Sequence, residues 1–145
     1  MDDSEATIFK LKELASKEPF ARLLDLEVVK IQPGYARVRM RVDNKKLNIH
    51  GITHGGALFA LVDEAFEMAS NSHGQIAVAL NMNITFFAST GAGELLEAEA
   101  VEVNRTARTA TYQIDVKDTK GKKISTCTAL VYRKGQGFPT KKSST

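Results

Sequence analysis

His54-Gly55-Gly56-Ala57-Leu58-Phe59-Ala60-Leu61-Val62-Asp63-Glu64-Ala65 decides the fold of this chain. Thr53 can cap a helix here, and Asn71-Ser72-His73-Gly74 can stop it. At about 100° per residue, Ala57, Leu58, Leu61, Ala65, Met68 and Ala69 fall on one apolar stripe, which must pack against a sheet. Asp63 falls on the opposite side. Gly56, Phe59, Ala60, Phe66 and Ser70 surround it, with Glu67 as the nearest other charge, and Glu64 reads as a solvated surface acid. Two phenylalanines on a nominally wet face predict a second buried contact, met most simply by the same helix of another copy across a two-fold axis.

The same stretch predicts chemistry. A helix N-terminus exposes unpaired N–H groups with partial positive charge, and glycine lets a ligand oxygen approach them. A carboxylate on the same element supplies a base or nucleophile. An oxyanion site plus a carboxylate suggests acyl transfer or hydrolysis. Asp63 is seven residues beyond Gly56, about 10 Å along the axis. The two groups must be closer than that to act on one carbonyl. The expectation is a site made of two chains, with Asp63 of one meeting the Gly-rich N-terminus of the other.

Outward from this helix, Asp2 to Lys17 reads as an amphipathic helix ended near Pro19. Leu26 to Gln32 and Tyr35 to Val42 read as strands joined by the turn dipeptide Pro33-Gly34, and Asp43 to Ile52 reads as irregular. Strands are predicted at Ile76 to Phe87, Glu94 to Val103, Thr106 to Lys117 and Lys122 to Arg133, with turns at Asn104-Arg105 and Asp118 to Gly121. The third of these has no cleanly apolar face by alternation. The predicted class is α+β, one helix wrapped by an antiparallel sheet. The predicted organisation is an N-terminal helix over 1–19, a domain over 20–134 and a disordered tail over 135–145.

Composition narrows the function classes. At 145 residues, with 43% hydrophobic and 26% charged residues, the chain is one ordinary globular domain. Its one cysteine, Cys127, excludes an intramolecular disulfide, and with no leader pattern the expected compartment is the cytoplasm. No apolar run is long enough to cross a bilayer, and a net charge of +3 gives no reason to expect nucleic acid. His50 and His54 are spaced i, i+4, but Gly51 and Thr53 interrupt any shared face, so no metal site is expected there.

The run Asn48-Ile49-His50-Gly51-Ile52-Thr53-His54-Gly55-Gly56, with Asp63 nine residues past His54, resembles the hot-dog-fold acyl-CoA thioesterases. It is most similar to the phenylacetate-degradation (PaaI-like) branch. Asn71-Ser72, Asn81-Met82-Asn83-Ile84-Thr85-Phe86 and Ala107-Arg108-Thr109-Ala110 carry the same resemblance, which covers roughly Phe20 to Arg133. The resemblance implies an acyl-CoA substrate, a homodimer, commonly a homotetramer as a dimer of dimers, and no metal or organic cofactor. It assigns Asp63 as the acid that attacks the thioester or activates water, and the Gly55/Gly56 backbone as the group polarising the C=O. It matches Asn48 to the amide that orients the water or intermediate, and His54 to the histidine that shapes the Gly loop. Where some relatives carry a hydroxyl residue after the helix, this chain has Ala77, Val78 and Ala79, leaving Asn81 as the substitute candidate.

CoA phosphates call for Arg or Lys at the entrance. Arg105, Arg108 and Arg133 are candidates, and the family pattern favours Arg108. Phe59, Phe66, Phe86 and Phe87 are candidates for an aromatic or medium- to long-chain acyl pocket, with core packing as the competing role. Two other functions share the fold. Hydratases pair the acid with a nearby His, but the only one after Asp63 is His73. A non-catalytic, regulatory acyl-CoA-binding domain has no need of a carboxylate in an apolar setting.

Overall fold

The computed structural model describes residues 2–137. Helix α1 (Asp3–Lys17) opens with a capping box: Glu5 N–H donates to Asp2 Oδ1 at 2.8 Å and Asp2 N–H donates to Glu5 Oε2. Pro19 starts a second short helix, α2 (Pro19–Leu23), which straddles the boundary expected at 19/20. Six strands follow around one helix: β1 (Glu27–Gln32), β2 (Tyr35–Arg41), α3 (Gly55–Asn71), β3 (Gln75–Phe86), β4 (Leu95–Arg105), β5 (Thr109–Lys117) and β6 (Lys123–Gly137). A single 3-10 turn at Asn44–Lys46 breaks the segment between β2 and α3.

The strands form one antiparallel sheet in the order β1-β2-β4-β5-β6-β3. This is the expected α+β architecture. The β1–β2 hairpin turns at Gly34, whose φ of +74° suits glycine, and its N–H donates to Ser72 Oγ at 2.8 Å. That bond ties the hairpin to the end of α3. The core forms where Leu58, Leu61, Ala65 and Ala69 of α3 meet Val38, Met40, Leu96, Ala98, Ile114 and Val131 of the sheet.

Several boundaries move. β4 runs through Asn104 and Arg105, and the turn expected there falls at 106–108. β5 has a clean inner face after all: Ala110, Tyr112, Ile114 and Val116 are buried. Read from Thr109, where the strand actually starts, the alternation is regular. β6 runs to Gly137, three residues into the stretch expected as a disordered tail; the rest of that stretch lies outside the described residues.

The outer face of α3 also differs from expectation. Phe66 is 1% exposed and packs edge-on to Tyr112, with ring centroids 5.7 Å apart. Ala60, Glu64 and Ser70 are buried as well. The sheet curls round the helix, and residues of the α1–α2 junction lie beside Glu67 and Met68. Only a narrow stripe of α3 stays open: Gly56, Phe59, Asp63 and Glu67, spaced i, i+3, i+7, i+11. Phe66 therefore needs no second chain. Exposed apolar side chains include Phe59 and, on the edge strand β3, Val78, Leu80 and Phe86.

Candidate functional site

The loop before α3 is held from several sides. Lys46 is buried, and its ammonium donates to Arg41 O at 2.8 Å and Asp43 Oδ2 at 3.2 Å. Thr53, expected as the cap, is instead buried against Thr90; its N–H donates to Thr90 O, and the two hydroxyls lie 2.6 Å apart. Asn48 Oδ1 accepts from His50 N–H at 2.9 Å and Ile52 N–H at 3.3 Å, and Gly51 closes this turn at φ +75°. Among the described residues nothing accepts from the Asn48 side-chain NH2, which is the part of that amide left for a ligand.

His54 is the helix cap. Its Nδ1 accepts from Gly56 N–H at 2.8 Å, and its carbonyl accepts from Ala57 and Leu58. A neutral His54 therefore carries its proton on Nε2. This separates two glycines that are equivalent in sequence. Gly56 N–H is engaged with the imidazole. Gly55 N–H, at the first helical position, has no acceptor among the described residues. A Cβ on Gly56 would meet His54 Nδ1 at 3.0 Å, so its glycine makes room for the capping ring. A Cβ on Gly55 would stand 3.4 Å from the Phe86 ring, an ordinary contact.

Gly55 opens on a cavity of about 380 Å³, shared with Asn48, Leu58, Phe86, Phe87 and Thr90. Phe86 and Phe87, two of the acyl-pocket candidates, line this cavity. Phe66 belongs to the core, and Phe59 shares the exposed stripe with Asp63. Asp63 does not line the cavity. It lies eight residues beyond Gly55 on a straight helix, about 12 Å along the axis. Surrounding protein raises its pKa above the ordinary carboxylate value by desolvation, and the charge of Glu18 adds to this. Its charge also reaches the buried Cys127 thiol on β6, whose pKa rises to about 11, mainly through burial.

Asn81 is exposed on β3, and its Oδ1 accepts from Asn83 Nδ2 at 3.0 Å. Of the three arginine candidates, Arg105 pairs with Glu102, and Arg133 donates to Thr106 O. The Arg108 guanidinium is exposed and has no acceptor among the described residues. The structure does not bring Arg108 near Gly55 within one chain. Arg133 N–H donates to Arg108 O, and Arg133 pairs with Ala77, whereas Gly55 sits by Phe86. Ala77 and Phe86 are nine residues apart on β3, or about 30 Å.

One acidic group escaped the sequence reading. Glu64, expected as solvated, is 4% exposed, and one carboxylate oxygen each from Glu18, Glu64 and Glu67 lies within 4.8 Å of the others. The i, i+3 spacing of Glu64 and Glu67 is visible in sequence, but the arrival of Glu18 is not.

Comparison with known proteins gives the family of the chain. The Thioesterase superfamily pattern matches residues 50–125. A "Putative esterase" of Archaeoglobus fulgidus is 44% identical over 117 residues, spanning 81% of this chain and 76% of that protein. The Escherichia coli "Acyl-coenzyme A thioesterase PaaI" is 35% identical over 105 residues, 72% of this chain and 75% of that one. The structure of the E. coli PaaI protein superposes with a TM-score of 0.89 at 29% identity, covering 95% of this chain and all (100%) of that one. A Streptococcus mutans protein, smu.793, solved bound to acetyl CoA, gives a TM-score of 0.74 at 26% identity over 77% of this chain and 90% of that one. The chain belongs to the thioesterase superfamily, in its PaaI-like branch, and is a hot-dog-fold thioester hydrolase.

Proposed function

We propose that this protein hydrolyses acyl-CoA thioesters to the free acid and CoA, at a site shared by two copies of the chain. The observation that carries this reading is the uncommitted N–H of Gly55, opening on an apolar cavity, with the exposed Asp63, its pKa raised by the protein around it, further along the same helix. The thioester oxygen accepts from Gly55 N–H, which stabilises the negative charge that develops there. Asp63 of the other copy attacks the carbonyl carbon, or takes a proton from the water that does. The C–S bond breaks and CoA leaves as the thiolate; where Asp63 itself has attacked, water then hydrolyses the acyl–aspartyl anhydride, and where water has attacked, the free acid forms directly. Asn48 offers its NH2 to the water or intermediate, and His54 holds the Gly loop through Gly56 N–H. The E. coli relative, an acyl-coenzyme A thioesterase, and the acetyl CoA held by the S. mutans relative support the CoA thioester as substrate. Phe86 and Phe87 support an aromatic or medium-length acyl group.

Two features support the shared site. β3 is an edge strand carrying exposed Val78, Leu80 and Phe86, a surface that soluble proteins rarely leave open. Antiparallel pairing of β3 with its copy about a two-fold axis reverses the strand's ends. It brings Arg108 of one chain to the Gly55 end of the other, where CoA phosphates need a cation. A dimer of such dimers is the assembly we favour, in the cytoplasm.

The test is hydrolysis of a panel of aromatic and straight-chain acyl-CoAs by the wild type and by Asp63→Asn. The wild type should turn over at least one class, and the variant should lose about 10²–10⁴ in kcat, since an amide is neither base nor nucleophile. Single turnover in ¹⁸O-water separates the two roles. Label in the Asp63 carboxyl marks the nucleophilic route, with water opening the anhydride at the aspartyl carbonyl; general-base catalysis leaves Asp63 unlabelled and puts label only in the product acid. Tight acyl-CoA binding by the wild type with no turnover across the panel would favour a regulatory binding domain instead.

A further inference from the structure

The three-carboxylate cluster has no role in the proposed chemistry. Glu18 sits at the junction of α1 and α2, while Glu64 and Glu67 stand one turn apart on α3. Glu64 is buried, and its Oε1 has no hydrogen-bond partner. Ionised carboxylates only accept hydrogen bonds, so the three acids cannot satisfy one another without a shared proton or cation. Among the described residues no Lys or Arg makes a salt bridge with any of them. Lys17, which lines the adjoining cavity with Glu18 and Glu67, pairs with Glu13 at 3.4 Å. Asp63, on the same helix, adds further negative charge. A buried carboxylate left in this state is costly, so the cluster takes up a proton or a cation.

We propose that Glu18, Glu64 and Glu67 form a binding site for one divalent cation of the oxygen-preferring class: calcium, magnesium or manganese. The donor set is all carboxylate, the ligands these hard ions take, with water completing the shell. The oxygens lie within 4.8 Å of one another, close enough for small side-chain adjustments to bring all three onto one ion at metal–oxygen distances of about 2.1–2.5 Å. The two acids on α3 and the one at the α1–α2 junction make the bound ion a tether between the N-terminal helices and the central helix.

The competing occupant is a proton. Burial raises the pKa of Glu64 most, and the neighbouring carboxylates raise it further; burial and the charge of Glu18 raise Glu67. A folded-state pKa above the unfolded one means the folded protein holds more protons between those two values. Stability therefore falls as pH rises through that window, from the ordinary glutamate value upward. A metal replaces the proton, so its affinity should grow over the same window.

The experiment uses the full chain after chelator treatment, at pH 8 and in pH steps down to 5. Manganese binding is read by electron paramagnetic resonance, and calcium and magnesium by calorimetry and melting temperature. The expected result is saturable binding of at least one of these ions, about one per chain, with Kd in the range of roughly 10⁻⁵–10⁻³ M. At about 100 times Kd, Tm should rise by roughly 5–10 °C at pH 8. Glu64→Gln and Glu18→Gln should each abolish binding. Without metal, Glu64→Gln should melt at or above the wild type at pH 8, because it removes the buried charge; with metal the order should reverse. That crossing is not produced by a merely structural role for Glu64. Absence of saturable binding of all three ions to folded wild type up to about 10 mM overturns the proposal and leaves the cluster to a shared proton. Binding that survives both substitutions overturns it as well. The readout needs no turnover, so it stands or falls apart from the thioesterase site.

Discussion

Alanine at Gly55 and at Gly56 should produce opposite failures, although the two residues are adjacent and identical. At Gly56 the added methyl would stand 3.0 Å from His54 Nδ1 and 3.2 Å from Cε1. The exposed imidazole must give way by a few tenths of an ångström, which weakens the Gly56 N–H to Nδ1 bond, at most to the loss of the cap. Loss of a helix cap costs about 0.5–2 kcal/mol. Alanine offsets up to about 1 kcal/mol of that through helix propensity. With the full offset the net runs from roughly −0.5 to +1 kcal/mol of destabilisation. For a chain of this length the unfolding entropy is about 0.3 kcal/mol/K, so Tm falls by no more than roughly 3–4 °C. At Gly55 the methyl meets Phe86 at 3.4 Å, leaves the His54 cap intact and gains helix propensity, so Tm should hold or rise. That methyl, however, stands in the cavity mouth beside the free N–H. If this N–H polarises the thioester carbonyl, kcat should fall by about 10²–10³. The assay is thermal melting alongside steady-state hydrolysis of the best acyl-CoA. Gly55→Ala turning over within about threefold of wild type, while Gly56→Ala is nearly inactive, would falsify the assignment and make Gly56 the donor despite its bond to His54.

Subunit mixing tests the shared site. Asp63→Asn and Gly55→Val proteins, each nearly inactive, should recover up to about half of wild-type activity per heterodimer, since one of two sites then carries neither defect. No recovery after verified exchange means that Asp63 acts within its own chain or not at all. Arg108→Ala should raise KM for acyl-CoA by about tenfold, as one exposed charge-assisted contact is lost. It should leave a pantetheine thioester, which lacks the nucleotide phosphates, unchanged; an equal effect on both substrates means that Arg108 does not read phosphate.

The fold and half of the site were legible in the chain because they rest on local periodicity. The apolar stripe from Ala57 to Ala69, the Pro33-Gly34 turn and the strand-rich second half follow from side-chain spacing along one segment. The distance between Asp63 and the Gly-rich N-terminus follows from helical rise alone. What surrounds each residue is a different matter, because burial is set by segments distant in sequence. Phe66 looked outward on a wheel, yet the curled sheet brings Tyr112 against it. Glu64 looked solvated, yet the α1–α2 junction carries Glu18 to its side. Thr53 looked like a cap, but the chain returns Thr90 to it and leaves the cap to His54. Gly55 and Gly56 read alike in sequence, and only the position of one imidazole separates the free N–H from the bound one. Spacing determines which residues share a face; tertiary structure decides whether that face meets water, a core or another charge.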